Sequence, residues 1–378
     1  MRILMLNYEC PPFGGGGGTA AFNLAKGFIK LGYQVDYITS HFPGLEKKEV
    51  IDDIHLYRVP AWGKKNLAVT PFKSMLCYDF FALLKTVQFC LKNKYDFINT
   101  QFAIPTGPVG LIASKIFKIK NILTLYGGDI YNPSKKSSPH RHRYWQMIVS
   151  FILNQSNIII ADSKNIKKNT LKYFKPRKEI KIIPLAYKKI EFKKISRKEL
   201  KMEKDTFYLI AIGRLIPRKG FKFLIKAMAN LPTEIHLNII GNGPLKEKLS
   251  ELIKKLKLEK RIKLLGWLSE EKKFQYLASS DLYVLSSLHE GFGVVLQEAM
   301  QVGLPIVATN YGGQADILKQ KTNALLIKPE STKELKKTIL TLCQNPKLRG
   351  KMRKNNLEKI SKYSPEKIAR RYLKLVEL

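Results

Sequence analysis

Short apolar runs alternate with stretches of helical spacing from one end of the chain to the other, and this alternation constrains the fold more than any other feature. Runs of four to six branched and aromatic residues are short for a buried helix and suit strands covered on both faces. Apolar residues recurring every three or four positions suit helices lying on such a sheet. Strand then helix, repeated, predicts parallel α/β construction. Strands are expected at residues 3–6, 35–39, 54–59, 97–100, 122–125, 158–161 and 180–184. A second set is expected at 208–212, 236–240, 262–265, 282–285, 306–309 and 324–327.

Between the two sets, residues 186–205 are polar, charged and without a strand pattern, which marks them as the linker. Two Rossmann-like halves follow, 1–187 and 206–363, with a ligand expected in the cleft where the carboxyl ends of their strands face each other. Residues 364–378 have helical spacing (Ile368, Tyr372, Leu375, Val376) and are expected to fold back on the first half. The length of 378 residues fits two domains at roughly 150 residues each, and 45% hydrophobic residues supply two cores.

The charge is lopsided, with 67 Lys+Arg against 30 Asp+Glu. That balance points to nucleic acid, an anionic membrane face or phosphate-bearing substrates without choosing among them. Cys10, Cys77, Cys90 and Cys343 are scattered, with no CxxC pair and no His cluster, so neither a disulfide scaffold nor a zinc site is expected. Reduced, cytosolic thiols fit that pattern. The first residues, MRILMLNYEC, are too short an apolar run for a signal peptide. The longest apolar stretch, 75–91, is broken by Asp79 and Lys85, so a soluble or peripheral protein is expected.

Three blocks carry chemistry. In PPFGGGGGTAAFNLAKGF, Gly14–Gly18 follow the first strand and open a helix, so that backbone amides of the run can close on an anion or a sugar. No Gly-Lys-Ser/Thr follows, which excludes a P-loop. In GRLIPRKGFKFL, Arg214 and Lys219 stand at the carboxyl end of a strand and suit a diphosphate, one by forked hydrogen bonds and one as a point charge. Gly241 and Asn242 form a second tight turn at the same sheet edge. In HEGFGVVLQEAMQVGLPIVATNYGG, the amides of Phe292, Gly293 and Val294 offer a phosphate site at a helix start, bracketed by Glu290 and Glu298, whose carboxylates can accept hydrogen bonds from hydroxyls.

These blocks together resemble glycosyltransferase family 4, the retaining group 1 glycosyltransferases with the GT-B fold, over essentially the whole chain. The resemblance implies that the second half binds a nucleotide-sugar and the first half takes the acceptor. It implies that Arg214 and Lys219 hold the nucleotide diphosphate, Glu298 the ribose hydroxyls and Glu290 the donor sugar, with Gly15 and Gly16 near the distal phosphate or the acceptor. It further implies retention of the anomeric configuration, with no metal and no cofactor beyond the donor. There are three departures from the family pattern. Tyr126-Gly127-Gly128-Asp129 stands in place of His-Gly-x-Asp, Ile183-Pro184-Leu185-Ala186 in place of Ile-Pro-Asn-Gly, and Asp316 in place of a Glu. Tyr126 and Asp129 remain candidate catalytic residues, although a phenol carries no proton charge near neutral pH.

The expected reaction is transfer of a hexosyl unit from a UDP- or GDP-linked sugar to a hydroxyl of a glycan or lipid-linked acceptor. Alternatives on the same fold are a sugar-nucleotide epimerase or a phosphorylase. A nucleic-acid-binding protein is suggested by charge alone, and no RNA-binding aromatic pair, zinc finger or recognition helix supports it. Residues 135–181 hold twelve basic residues against Asp162 and Glu179, with Tyr144, Trp145 and an apolar stretch beside them. That suits an anionic membrane surface, and hence a peripheral position on the inner face of the cell membrane. The 72–92 helix, apolar almost all round, is expected to be a core helix, with insertion into the membrane interface as the alternative.

Overall fold

A computed structural model of the chain describes residues 1–12, 14–63 and 72–377. It divides into two compact units, the first made of 1–188 with 363–378 and the second of 189–362.

In the first unit the elements are β1 (Arg2–Leu6), α1 (Gly16–Lys30), β2 (Gln34–Ser40), β3 (Lys48–Ile51), β4 (Ile54–Val59), α2 (Phe72–Lys92), β5 (Phe97–Gln101) and α3 (Gly107–Phe117). They continue with β6 (Lys120–Leu125), α4 (Arg143–Gln155), β7 (Ile158–Ala161), α5 (Lys164–Phe174) and β8 (Ile180–Ile182). The sheet order is β3-β4-β2-β1-β5-β6-β7-β8. The expected strands form here, with one addition. Lys48–Ile51 was not expected as a strand, because two charged residues in four leave little apolar pattern. It is an edge strand, antiparallel to β4, so this sheet is mixed and not purely parallel. Asp52 and Asp53 make the turn, with φ of 49° and 62°, the two successive positive values that a tight hairpin requires.

The second unit runs β9 (Phe207–Ile212), α6 (Phe221–Met228), β10 (Ile235–Ile240), α7 (Lys246–Lys255), β11 (Ile262–Gly266), α8 (Glu270–Ser279), β12 (Leu282–Leu285) and α9 (Val294–Gln301). It closes with β13 (Ile306–Thr309), α10 (Gln314–Ile317), β14 (Leu325–Ile327), α11 (Thr332–Cys343) and α12 (Pro346–Ile360). Its sheet, β11-β10-β9-β12-β13-β14, is parallel throughout and has the doubly wound order in which the direction of winding reverses between β9 and β12. One apolar core spans its strands and α6, α7 and α11.

The boundary between the units, Lys188 to Lys189, falls inside the 186–205 segment expected as the linker, and residues 189–205 belong to the second unit. They lack regular strands, but they are tied to the second unit. The Arg197 guanidinium donates to the carbonyls of Ser279 and Thr206 at 3.0 and 2.9 Å and to Asp281 at 2.8 Å. Polarity here reflects an anchored irregular segment, which sequence pattern does not separate from a free one.

The last helix, α13 (Pro365–Val376), belongs to the first unit. It lies against α1 so closely that a Cβ on Gly27 would stand 2.2 Å from the Pro365 carbonyl. The Tyr372 and Thr124 hydroxyls share a buried hydrogen bond of 3.1 Å, and Arg371 donates to the Ile182 carbonyl at 2.8 Å.

The helix α2 is not the core helix expected. Its inward face carries Ser74, Tyr78, Ala82, Thr86 and Phe89, all buried. Its outward face carries Phe72, Leu76, Phe80, Leu84 and Leu91, all more than half exposed. Among the described residues it is the one helix long and apolar enough to cross a membrane, yet Tyr78 and Ala82 are wholly enclosed by the first unit's core.

Candidate active site

In doubly wound sheets, ligands bind outside the carboxyl ends of strands where the winding reverses. In the second unit those ends are the loops after β9 and β12, and the sequence places its charged motifs on both. Glycines let the two loops touch. Gly220 has φ of 64°, and a Cβ there would meet the Ser286 carbonyl at 2.1 Å. A Cβ on Gly241 would meet the Gly213 carbonyl at 2.0 Å, which stacks the turn after β10 on the loop after β9. In that turn Asn242 accepts the Gly243 amide at 2.9 Å through its side chain, while its carbonyl accepts the Leu215 amide at 2.9 Å.

This packing brings Lys219 to Glu290, 71 residues away. The ammonium donates to Glu290 Oε1 at 2.6 Å, and both side chains are buried. Arg218 adds a second cation 3.4 Å from Glu290 Oε2 and donates to the His289 carbonyl at 3.1 Å. Burial alone would push the Glu290 carboxyl up, but the two cations and the Lys219 hydrogen bond hold it down at about 2. It is a fixed carboxylate. Gln314, wholly buried, accepts the Glu290 amide at 3.0 Å and donates to Thr309 at 2.7 Å, and the Gly313 amide donates to the Glu290 carbonyl at 2.8 Å. The loop carrying the carboxylate is therefore fastened on both sides. Asp316 lies in α10, the short helix that Gln314 opens.

Arg214 is exposed on the same loop as Lys219. Phe292 is buried, Gly293 takes φ of 99° as the cap of α9, and Val294 is the first residue of that helix. Glu298, one turn further on, is held by Lys273 at 2.8 Å, which also reaches Glu270 at 2.6 Å. Burial raises the Glu298 carboxyl and Lys273 partly offsets this. Arg218, Lys273 and Gln314 were not anticipated. Arg218 stands in the motif itself and could have been named. Lys273 reads as an ordinary helix lysine and Gln314 as a loop amide, so neither gives a sequence signal.

In the first unit the winding reverses between β1 and β5, and the glycine run leaves β1 there. Gly15 caps α1 and Gly16 is its first residue. The Gly15 amide already has an acceptor, because the Glu9 carboxylate receives it at 2.7 Å. A Cβ on Gly17 would stand 2.6 Å from the Phe102 ring, so the run is needed for close packing as well. Phe102, at φ of 73°, holds its ring 4.6 Å from that of Tyr126. The Tyr126 hydroxyl donates to Gln101 Oε1 at 2.5 Å, and burial pushes the phenol well above its usual range. Asp129 accepts three backbone amides, from Ala103 at 2.8 Å, Gly127 at 3.0 Å and Tyr126 at 3.2 Å. Burial raises its carboxyl to about 6 against the pull of those amides. Its oxygens hold the Tyr126 loop.

Two family models match the chain, Glycosyltransferase Family 4 over residues 14–187 and Glycosyl transferases group 1 over 192–359. The chain belongs to the group 1 glycosyltransferases of family 4. The N-acetyl-alpha-D-glucosaminyl L-malate synthase of Bacillus anthracis is 25% identical to this glycosyltransferase, covering 98% of this chain and 95% of its own. Sucrose-phosphate synthase from Thermosynechococcus elongatus has a similar structure, with a TM-score of 0.86 at 21% identity over all of this chain and 98% of its own. Anabaena Alr3699/HepE in complex with UDP and glucose gives 0.80 at 22%, over 100% and 99%. These likenesses are to GT-B glycosyltransferases, and both units of this glycosyltransferase are Rossmann-like parallel-sheet α/β domains, the first with its antiparallel edge.

Proposed function

We propose that this glycosyltransferase moves a hexosyl unit from a UDP- or GDP-linked sugar to a hydroxyl of a lipid-linked or cell-surface glycan precursor, with retention and without a metal ion. The observation that carries this reading is the buried Lys219–Glu290 pair at the winding reversal of the second unit. A fully ionised carboxylate clamped by cations is suited to accept hydrogen bonds from sugar hydroxyls and unsuited to donate a proton. Arg214 and Lys219, with the Gly293 and Val294 amides, serve the diphosphate. Cations and amides fixed before the reaction stabilise charge that grows on the leaving group as the glycosidic bond opens. Glu298, oriented by Lys273, serves as acceptor for ribose hydroxyls.

Retention follows if the acceptor attacks from the face that the diphosphate leaves and a phosphate oxygen takes the acceptor proton. Glu290 is assigned to binding, not to nucleophilic attack. In the first unit, which we assign to the acceptor, Tyr126 contributes a neutral phenol for hydrogen bonding, and Asp129 is a positioning residue because its oxygens hold backbone amides. The protein works at the inner face of the cell membrane in this reading, and nucleic acid has no part in it.

A panel of UDP- and GDP-sugars offered with lipid-linked and water-soluble acceptors tests this, with the product anomer read by NMR. One donor should be consumed with retention. Arg214→Ala and Glu290→Gln should each lower kcat/KM by about 10²-fold or more. Wild-type turnover in either variant would overturn the assignment.

A further inference from the structure

Two outer helices of the first unit, α2 and α4, carry large apolar residues on the solvent side as well as on the face packed against the core. Five residues of α2 (Phe72, Leu76, Phe80, Leu84 and Leu91) make a row along its whole length. On α4, Tyr144, Met147 and Phe151 are also exposed, and the Phe72 ring stands 5.6 Å from that of Trp145, which joins the two helices. An apolar surface of this extent marks an interaction site.

Towards the far end of the row, between α2 and the β3–β4 hairpin, lies a pocket of about 680 Å³. Lys47, Lys48, Lys85 and Lys92 line it with Arg2 and Arg58, and among the described residues that line it none is acidic. The two arginines already have carboxylate partners, Arg2 in Asp36 at 2.6 Å and Arg58 in Glu49. The lysines are differently placed. Lys85 and Lys48 stand over the Tyr57 ring at 5.6 Å, and Lys85 over Phe89 at 4.9 Å, so the pocket has an aromatic floor under its cations. Leu84 belongs both to the pocket wall and to the apolar row. Head-group chemistry and acyl-chain chemistry therefore meet at one residue.

We propose that the first unit docks on an anionic lipid bilayer through the α2 row, with the pocket taking the phosphate-bearing head group of a lipid. A neutral ligand leaves a ring of cations without a counter-charge. A small soluble phosphate leaves the row uncovered. An anionic lipid answers both. This deepens the membrane side of the function proposed above and rests on it there. It also moves the contact. The cluster expected at 135–181 shares α4 with this surface, but all four lysines of the pocket lie outside it.

Flotation of the full chain with vesicles of phosphatidylcholine alone, or with added phosphatidylserine or phosphatidic acid, tests the proposal. The wild type should float with both anionic mixtures and not with phosphatidylcholine. Lys47→Ala/Lys48→Ala/Lys85→Ala should weaken binding at least tenfold, on a scale of about fivefold per basic residue at a membrane surface. Phe80→Ser/Leu84→Ser should weaken it at unchanged charge. Both sets lie on the surface or pocket rim, and unaltered circular dichroism and donor turnover should show that the fold survives. A control, Lys246→Ala/Lys248→Ala/Lys255→Ala on exposed positions of α7, should float like the wild type.

Equal flotation of the pocket variant, or equal loss in the control, overturns the head-group site and leaves membrane binding to diffuse charge. Titration of inorganic phosphate into the pocket without flotation makes it a soluble-anion site and overturns the docking. Flotation with no transfer to any acceptor overturns the reaction proposed above and leaves the docking intact.

Discussion

The two units have sheets of the same winding and surfaces of opposite character. Of seventeen large apolar side chains exposed among the described residues, ten lie on α2, α3 and α4 of the first unit, whereas the second unit exposes Trp267, Tyr311 and Leu357. Charge does not separate them, because residues 1–187 hold 27 basic and 11 acidic residues and the remainder 40 and 19. Their loops at the winding reversal differ too. In the second unit a lysine and a glutamate close on each other in a buried pair, and in the first a run of glycines closes on Glu9. One topology thus supports a site built on fixed opposite charges and another built on close backbone packing. The net charge of +37, prominent in the sequence, distinguishes neither.

The largest expected effect breaks the charged side of this comparison. Lys219→Ala removes the closer of the two cations that face the Glu290 carboxylate and leaves Arg218, at 3.4 Å. Stability should fall by about 3 kcal/mol, the low end for breaking a buried pair. Donor turnover should fall by about 10²–10³-fold. Urea denaturation and donor kinetics on the same preparation check both. The pH dependence has a defined sign, since the Glu290 carboxyl lies at about 2 in the folded protein against an ordinary 4.5. Its contribution is present above 4.5 and is lost as pH falls towards 2, and Glu290→Gln should remove that part of the acid dependence.

The next effect tests the packed side. Gly27→Ala puts a methyl 2.2 Å from the Pro365 carbonyl, where backbone must move. A loss of about 1–3 kcal/mol is expected. Hydrogen exchange should show the loss confined to α1 and α13, with the second unit's sheet protected as before. Uniform loss of protection across both units would mean that they do not unfold separately.

How much of this was legible follows the same division. Strands buried on both faces announced themselves as apolar runs, which is why β1 and β9 were visible, while the edge strand β3, with Lys48 and Glu49 on it, was not. Lys219 and Glu290 were legible because glycines and strand ends frame them. Lys273 was not, because a lysine that orients a buried carboxylate has the same neighbours in sequence as one in water. The row on α2 left a core helix and an interfacial one both open for a related reason. Composition reports that a helix is apolar, and only the position of Ser74, Tyr78 and Thr86 on the inward face reveals that its greasier side faces out.

A smaller effect compares the two buried carboxyls. Asp129 is raised to about 6 from 3.8, the reverse of Glu290. The folded state holds its proton more tightly than the unfolded chain does, so this group makes stability fall as pH rises from about 4 to about 6. Asp129→Asn should flatten that segment of the profile. It should also cost about 1–2 kcal/mol, because an amide cannot accept at both oxygens from Ala103 and from the Tyr126–Gly127 turn. Chemical denaturation across that pH range separates the two consequences.

The smallest effect sits at the glycine loop. Glu9→Gln keeps an oxygen for the Gly15 amide and removes the charge facing the start of α1. The helix terminus then loses a favourable anion, worth about 0.3–1 kcal/mol at an exposed site. High salt should shrink the difference between variant and wild type, since screening weakens the charge term and leaves the hydrogen bond. If Glu9 acts instead through shape, packed as its Cβ is within 2.9 Å of the Cβ positions that side chains at Gly14 and Gly18 would take, the variant should match the wild type at every salt concentration. The salt series therefore decides whether the first unit's loop is electrostatic, as the second unit's is, or steric.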